Sequence, residues 1–348
     1  MDEYRKGRSI FWPVLLIGLG TIWLLSNFGI IPNVNWYMLL NLWPLLLVAL
    51  GLQILFGRRA RWMGSVLAAL IVLGVLGLMV FAPQLGWPTV GEMKTESYKA
   101  PKKDTESAVI RLDLDFGNSH VYPKESASNL LEAQVTHNGQ VNFSAVGDTR
   151  QTVSLDLDRG FSFFDIGAFA DDDVVQSEIG IAPDVTLDLK VDHGSGKGIY
   201  ELDELTLSAL NFDLSSGDIS LSLPNGSYDA EFDISSGEIR ATVREEANLD
   251  MKIEVSSGEL NMTFSENTNA EIQIDLSSGS IDLVMPEGVG VKLFGNVSSG
   301  SVSVPKGYQK ISGGDRDRGG TWESPGYAEA EYKIVIEFDV SSGRITIR

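Results

Sequence analysis

The chain has no cysteine, which excludes disulfide staples and thiolate metal sites and is compatible with an exported domain. Histidine is nearly as scarce. His120, His137 and His193 are the full set, and their spacing matches neither a metal-ligand nor a catalytic pattern. Positive charge is in deficit, with 27 Lys and Arg against 47 Asp and Glu and a net charge of −20. Phosphates require clustered Lys and Arg, so this balance argues against nucleic acid as a partner and disfavours flat docking on anionic lipid. Charge of either sign is missing between Arg8 and Arg58 and again between Arg61 and Glu92. Residues 1–91 carry six basic and two acidic side chains, +4, which leaves −24 of the total for residues 92–348. A basic, apolar part and an acidic, polar part therefore meet near residue 91.

The uncharged stretches are long enough to cross a bilayer, which takes roughly 20 apolar residues. They predict a transmembrane region over 1–91 with spans at about 10–30, 36–56 and 63–81, each with a tryptophan (Trp12, Trp36 or Trp62) near its start. The first is too long for a signal-peptide core and is followed by no small-x-small site, so it reads as a retained anchor. The first two spans repeat one another: Phe11-Trp12-Pro13-Val14-Leu15-Leu16 matches Leu42-Trp43-Pro44-Leu45-Leu46-Leu47, and Gly20 matches Gly51. Basic residues flank the N-terminus (Arg5, Lys6, Arg8) and the second loop (Arg58, Arg59, Arg61) but not the first loop. The positive-inside rule then places the N-terminus in the cytoplasm and, after three spans, the C-terminal part outside. A re-entrant span would reverse that side. No span holds an ionisable residue, so the region reads as an anchor in the lipid bilayer with a surface for another membrane protein, not as a proton or ion path.

After a linker expected at 92–107, a Ser-Ser-Gly signature recurs, with glycines at Gly217, Gly237, Gly258, Gly279, Gly300 and Gly343. The spacings are 20, 21, 21, 21 and 43, the last reading as two periods with one corner missing. Around each corner the apolar residues alternate, as in Phe212, Leu214, then Ile219, Leu221, Leu223. Period-two alternation marks strands with one buried face. Glycine supplies a positive-φ corner and the serines bond local backbone. The fold class is therefore an all-β repeat domain over 108–348, a β-solenoid of about 21 residues per unit. Antiparallel hairpins in a sandwich are the rival arrangement. Weaker copies of the corner stand at Gly196 and Gly117.

Four residues before each corner the side chain is acidic: Asp113, Asp192, Asp213, Asp233, Glu254, Asp275 and Asp339, with Asn296 the exception. Stacking would bring these carboxylates to about one strand spacing, roughly 4.8 Å. One reading is a calcium ladder over Asp213, Asp233, Glu254, Asp275 and Asp339. The other is a solvated outward row, which the lack of any Asp-x-Asp-x-Asp-Gly loop or nonapeptide calcium repeat favours. Asp171-Asp172-Asp173 reads as an exposed loop before a metal site. The apolar Phe161–Phe164 stretch and the Gly313–Gly320 loop are the two places to expect a partner surface. No metal or cofactor is expected, and no residue set supports an enzyme.

These features together resemble LiaF-like bacterial membrane proteins. The Trp-Pro paired spans resemble the LiaI/LiaF-like transmembrane region. Ser128-Asn129-Leu130-Leu131-Glu132-Ala133, the Ile181–Leu189 segment and Trp322-Glu323-Ser324-Pro325-Gly326-Tyr327, together with the repeats, resemble a toastrack domain. The resemblance implies a non-enzymatic role in the cell-envelope stress response beside a two-component histidine kinase, often as a negative regulator. It supplies no catalytic residues. A structural or adhesive β scaffold at the cell surface, with self-assembly into a homo-oligomer, is the alternative.

Overall fold

The computed structural model describes residues 11–28, 45, 47, 48, 51, 61–81, 93–125, 128–158, 175–313 and 319–348. The chain divides into a helical unit and a β unit. In the helical unit, α1 (Phe11–Asn27) and α2 (Arg61–Phe81) correspond to the first and third expected spans; of the second only residues 45, 47, 48 and 51 are described, and these are helical. Pro13 falls in the first turn of α1, where its missing N–H breaks no helical hydrogen bond. The two helices pack through Leu15, Ile22, Val72, Val75 and Leu76. Gly18 permits the approach, since a Cβ there would lie 2.2 Å from Leu76 Cδ1. Among the described residues no helix is long and apolar enough to cross a membrane.

The β unit is a stack of coils. β1 (Lys94–Pro101) opens it, so the stretch expected to be linker already holds a strand. β2 (Ser107–Phe116) and β3 (Asn118–Pro123) make one coil. β4 (Asn129–His137) and β5 (Gln140–Gly147) lead to a second, β6 (Arg150–Asp158) with β7 (Gln176–Ile181). β8 (Thr186–Glu201) and β9 (Thr206–Leu223) each run through their corner as one bent strand. β10 (Gly226–Ile234) with β11 (Glu238–Val243), β12 (Ala247–Val255) with β13 (Glu259–Phe264), and β14 (Asn269–Leu276) with β15 (Ser280–Val284) continue the series. β16 (Gly290–Val297) and β17 (Ser301–Ser303) follow, then β18 (Gln309–Ser312), β19 (Gly319–Glu323), and finally β20 (Lys333–Val340) with β21 (Arg344–Ile347).

Neighbouring coils pair in parallel, for example Ala230↔Met251 and Met251↔Ile272, so these strands are not hairpins of a sandwich. Alternation then places identical rows on one face. Leu112, Val191, Phe212, Phe232, Ile253, Ile274 and Phe338 stand in register and are buried. A second interior row runs Leu114, His193, Leu214, Ile234, Val255, Leu276, Val340 and Val297. His193 is fully buried with Nδ1 2.9 Å from the Tyr200 hydroxyl, and burial holds it neutral by lowering its pKa to about 4. Its contribution is present above the ordinary imidazole value and is lost as pH falls toward 4.

Stack order departs from sequence order at both ends. The β2–β3 coil lies between β6–β7 and β8. The β20–β21 coil lies between β14–β15 and β16–β17. Gly343 is therefore not two periods beyond Gly300; it sits between Gly279 and Gly300. Antiparallel strands close the ends: β5 on β6 and β4 on β7 with β1 beyond, and β19 on β16 with β18 beyond. Such caps keep much of the sheet edge from presenting unpaired backbone.

The corner glycines also work differently from expectation. Positive φ occurs at Gly117 (105°) and Gly196 (117°) but at none of the six Ser-Ser-Gly glycines. Their constraint is close approach. A Cβ on Gly217, Gly237, Gly258, Gly279, Gly343 or Gly300 would come within 2.0–2.7 Å of the carbonyl oxygen of the preceding corner glycine in the stack. The serines tie the same corners together: Ser257 N donates to Ser235 O, Ser278 N to Ser256 O and Ser342 N to Ser277 O.

Candidate functional site: an acidic ladder and its cleft

Because the coils are parallel and in register, the residue four before each corner occupies one outward row. The row runs Asp156, Asp113, Asp192, Asp213, Asp233, Glu254, Asp275, Asp339 and Asn296. It unites all five residues of the expected ladder and adds Asp156, whose coil lacks the Ser-Ser-Gly corner by which the row was found. Like charges one strand spacing apart repel, most strongly where water is partly excluded. The effect is visible at the N-terminal end. Burial, followed by Asp115, Asp192 and Asp156, pushes the Asp113 pKa up to about 6. Asp192 is raised by burial and Asp115, and Asp213 by burial, Asp192 and Asp233. Farther along, Lys252 relieves the row by pairing with Glu231 at 3.1 Å and Glu254 at 2.6 Å.

At the C-terminal end the row becomes one wall of a cleft of about 630 Å³. Glu254, Asp275, Glu337 and Asp339 supply carboxylates, Lys252 a single ammonium, and Phe294 an apolar floor. Gly313, Gly319 and Gly320 bring the β18–β19 backbone to the other side. A second, open groove of about 750 Å³ follows the corners, lined by the Ser236, Ser257, Ser278, Ser299 and Ser342 column with Glu238, Glu259 and Arg344. Among the described residues no cluster of His, Asp and Glu has a metal-holding arrangement. The chemistry on offer is multivalent attraction of cations and hydrogen bonding along a repeat of about 4.8 Å.

Of the other expected places, Phe161–Phe164 and Asp171–Asp173 lie outside the described residues, as do residues 314–318 of the Gly313–Gly320 loop. The three histidines are apart in function as in sequence. His120 Nδ1 lies 3.0 Å from Glu178, His137 is buried on β4, and His193 belongs to the interior.

Two outcomes are expected of the row. Asp113 is protonated more readily folded than unfolded, so its ionisation opposes folding above about pH 6 and the penalty fades as pH falls toward 4. Asp113→Asn should raise stability by about 1 kcal/mol at pH 7.5, after allowing for screening of a partly exposed group, and by little at pH 4. Denaturant titrations of both chains at the two pH values check this. For a solvated row, the melting temperature should be the same in calcium and in chelator; a rise in calcium would assign the row as a cation ladder.

Three family profiles match the sequence: the LiaF transmembrane domain over residues 11–94, the N-terminal domain of toast_rack (DUF2154) over 89–244, and Toastrack DUF4097 over 247–348. No curated protein matches. Among solved structures, a protein described as a cell adhesion protein from Clostridium sporogenes ATCC 15579 is 14% identical with a TM-score of 0.36, covering 74% of this chain and 99% of its own. One described as an adhesin from Bacteroides fragilis NCTC 9343 is 12% identical with a TM-score of 0.32, covering 74% and 98%. One described as a lipid binding protein from Parabacteroides distasonis ATCC 8503 is 13% identical with a TM-score of 0.27, covering 74% and 97%.

Proposed function

From the premise that this chain joins a LiaF transmembrane domain to a two-part toastrack domain, we propose that it is a non-enzymatic regulator of the cell-envelope stress response acting beside a membrane histidine kinase. The observation that carries this reading is the order of those domains along one chain. The transmembrane match makes it a membrane-associated envelope protein. In this reading three uncharged segments of the sequence, at 10–30, 36–56 and 63–81, cross the bilayer and hold the β unit outside. The uncharged lengths support the spans, and the basic clusters at Arg5–Arg8 and Arg58–Arg61 support the side. The acidic ladder is then the face offered to cationic groups arriving at the envelope. The spans, which contain no ionisable side chain, are the surface offered to the kinase.

Two measurements test the proposal. Protease added to intact cells should remove the β unit; protection would place it in the cytoplasm. Deleting the gene should alter the transcriptional response to envelope-active antibiotics. An unchanged response would end the regulatory reading, and concentration-dependent filaments of the protein would favour the scaffold instead.

A further inference from the structure

The last coil of the chain occupies a place that the sequence register does not reserve for it. β20 pairs along its length with β14, from Ala270↔Ile334 to Leu276↔Val340, and with β16, from Gly290↔Lys333 to Val297↔Val340. Gly258 and Gly279, whose coils are direct neighbours, are 21 residues apart. Gly279 and Gly300 are also 21 residues apart, yet a foreign coil separates them. The 290–303 coil thus carries the register needed to stack directly on 269–284.

Direct stacking would also satisfy the interior. At an offset of 21, Leu276 would face Val297 and Ile281 would face Val302, apolar on apolar, while Gly295 would fit against Ile274. The connection of residues 285–289 now bridges two strand spacings, about 9.6 Å, and would need to bridge only one. The β20–β21 coil has its own Ser341-Ser342-Gly343 corner and could then stack on the outer side of 290–303. Either order makes two coil–coil interfaces from these three coils. What distinguishes the observed order is the β19–β16 pairing, from Lys292↔Glu323 to Asn296↔Gly319, which occupies the edge the coil would need.

We propose that residues 333–348 are a switch with two stacking positions: inserted between the 269–284 and 290–303 coils, as seen here, and appended outside the 290–303 coil. Packed elements move between discrete arrangements and do not deform continuously, so the coil has two positions and no intermediate one. The exchange passes through local opening of one end of the stack, which leaves the remaining coils folded. Its consequence falls on the cleft. In the appended order Glu337 leaves the gap between Gln273 and Phe294, Asp339 leaves the gap between Asp275 and Asn296, and the β18–β19 wall is displaced. Coil position therefore sets both the charge and the shape of that cleft. The inference rests on register alone and is independent of the proposed function.

The absence of cysteine allows a clean test in this 348-residue chain. Gln273 and Glu337 are outward neighbours on β14 and β20, so Gln273→Cys with Glu337→Cys should form a disulfide within one chain and trap the inserted order. Gln273 and Phe294 are now separated by β20, about 9.6 Å and out of disulfide reach, but become neighbours in the appended order. Glu231→Cys with Gln273→Cys is the control: the pair is equally separated, by Lys252 on β12, and coil movement cannot bring it together. In a thiol–disulfide buffer below the melting temperature, the Gln273→Cys, Phe294→Cys pair should form an intrachain disulfide at least about tenfold faster than the control. A rate equal to the control, or links only between chains, would overturn the switch. Failure of the Gln273→Cys, Glu337→Cys pair to close would overturn the inserted register itself.

Discussion

Replacing Phe232 by alanine should destabilise the β unit by about 3–5 kcal/mol, the usual cost of deleting a buried aromatic ring. Phe232 is fully buried in the interior row, between Phe212 and Ile253. Its ring stacks on that of Phe212 at a centroid distance of 6.4 Å, and Phe212 in turn meets Tyr200 edge-on at 4.9 Å. A stack of parallel coils cannot close over the resulting void from the sides. The neighbouring coils are held one strand spacing apart by backbone hydrogen bonds that do not shorten, so the cavity persists and the full cost is felt. On a unit of this size the loss corresponds to a drop of roughly 10 °C in melting temperature. Thermal unfolding followed by circular dichroism would show it. A shift within a degree or two would mean that the rows of the stack repack independently.

That row was legible from sequence because alternation and period act together. Phe212, Phe232, Ile253 and Ile274 recur at the same distance before a Ser-Ser-Gly corner, which fixes both the face and the register of each strand. The acidic row follows by the same arithmetic, and Asp213, Asp233, Glu254, Asp275 and Asp339 stand in register in one outward row. Spacing carries no information about order in space, however. Gly343 reads as a distant corner because the excursion through β18 and β19 is counted along the chain, while the coil itself returns two positions inward. β1 is hidden in the sequence for a different reason. It is a cap strand with little to bury, and of Lys94–Pro101 only Ala100 is buried. An edge strand held by backbone pairing to β4 needs no hydrophobic alternation and so leaves little trace of itself.

The corner glycines supply the second large effect, and they separate two reasons for conserving space. Gly279→Ala should cost about 3 kcal/mol, although the residue sits at a backbone angle open to any amino acid. Its Cβ would lie 2.0 Å from Gly258 O and 2.9 Å from Val255 Cγ1. To accept the methyl group, the two coils must part by more than an ångström. The bonds that forbid this are Ser280 N to Gly258 O at 3.0 Å and Ser278 N to Ser256 O at 2.9 Å. Stretching both, at about 1 kcal/mol each, together with the strain of overpacking gives the expected loss. Gly226→Ala is the contrasting case. Gly226 has φ of +98° but nothing within 4 Å of its missing Cβ, so alanine there meets backbone strain alone, about 1–2 kcal/mol. If chain turning were the reason for the Ser-Ser-Gly glycines, Gly226→Ala would be the more damaging of the two. Equilibrium denaturation of both variants decides the order, and close packing of corner on corner requires that Gly279→Ala be the worse.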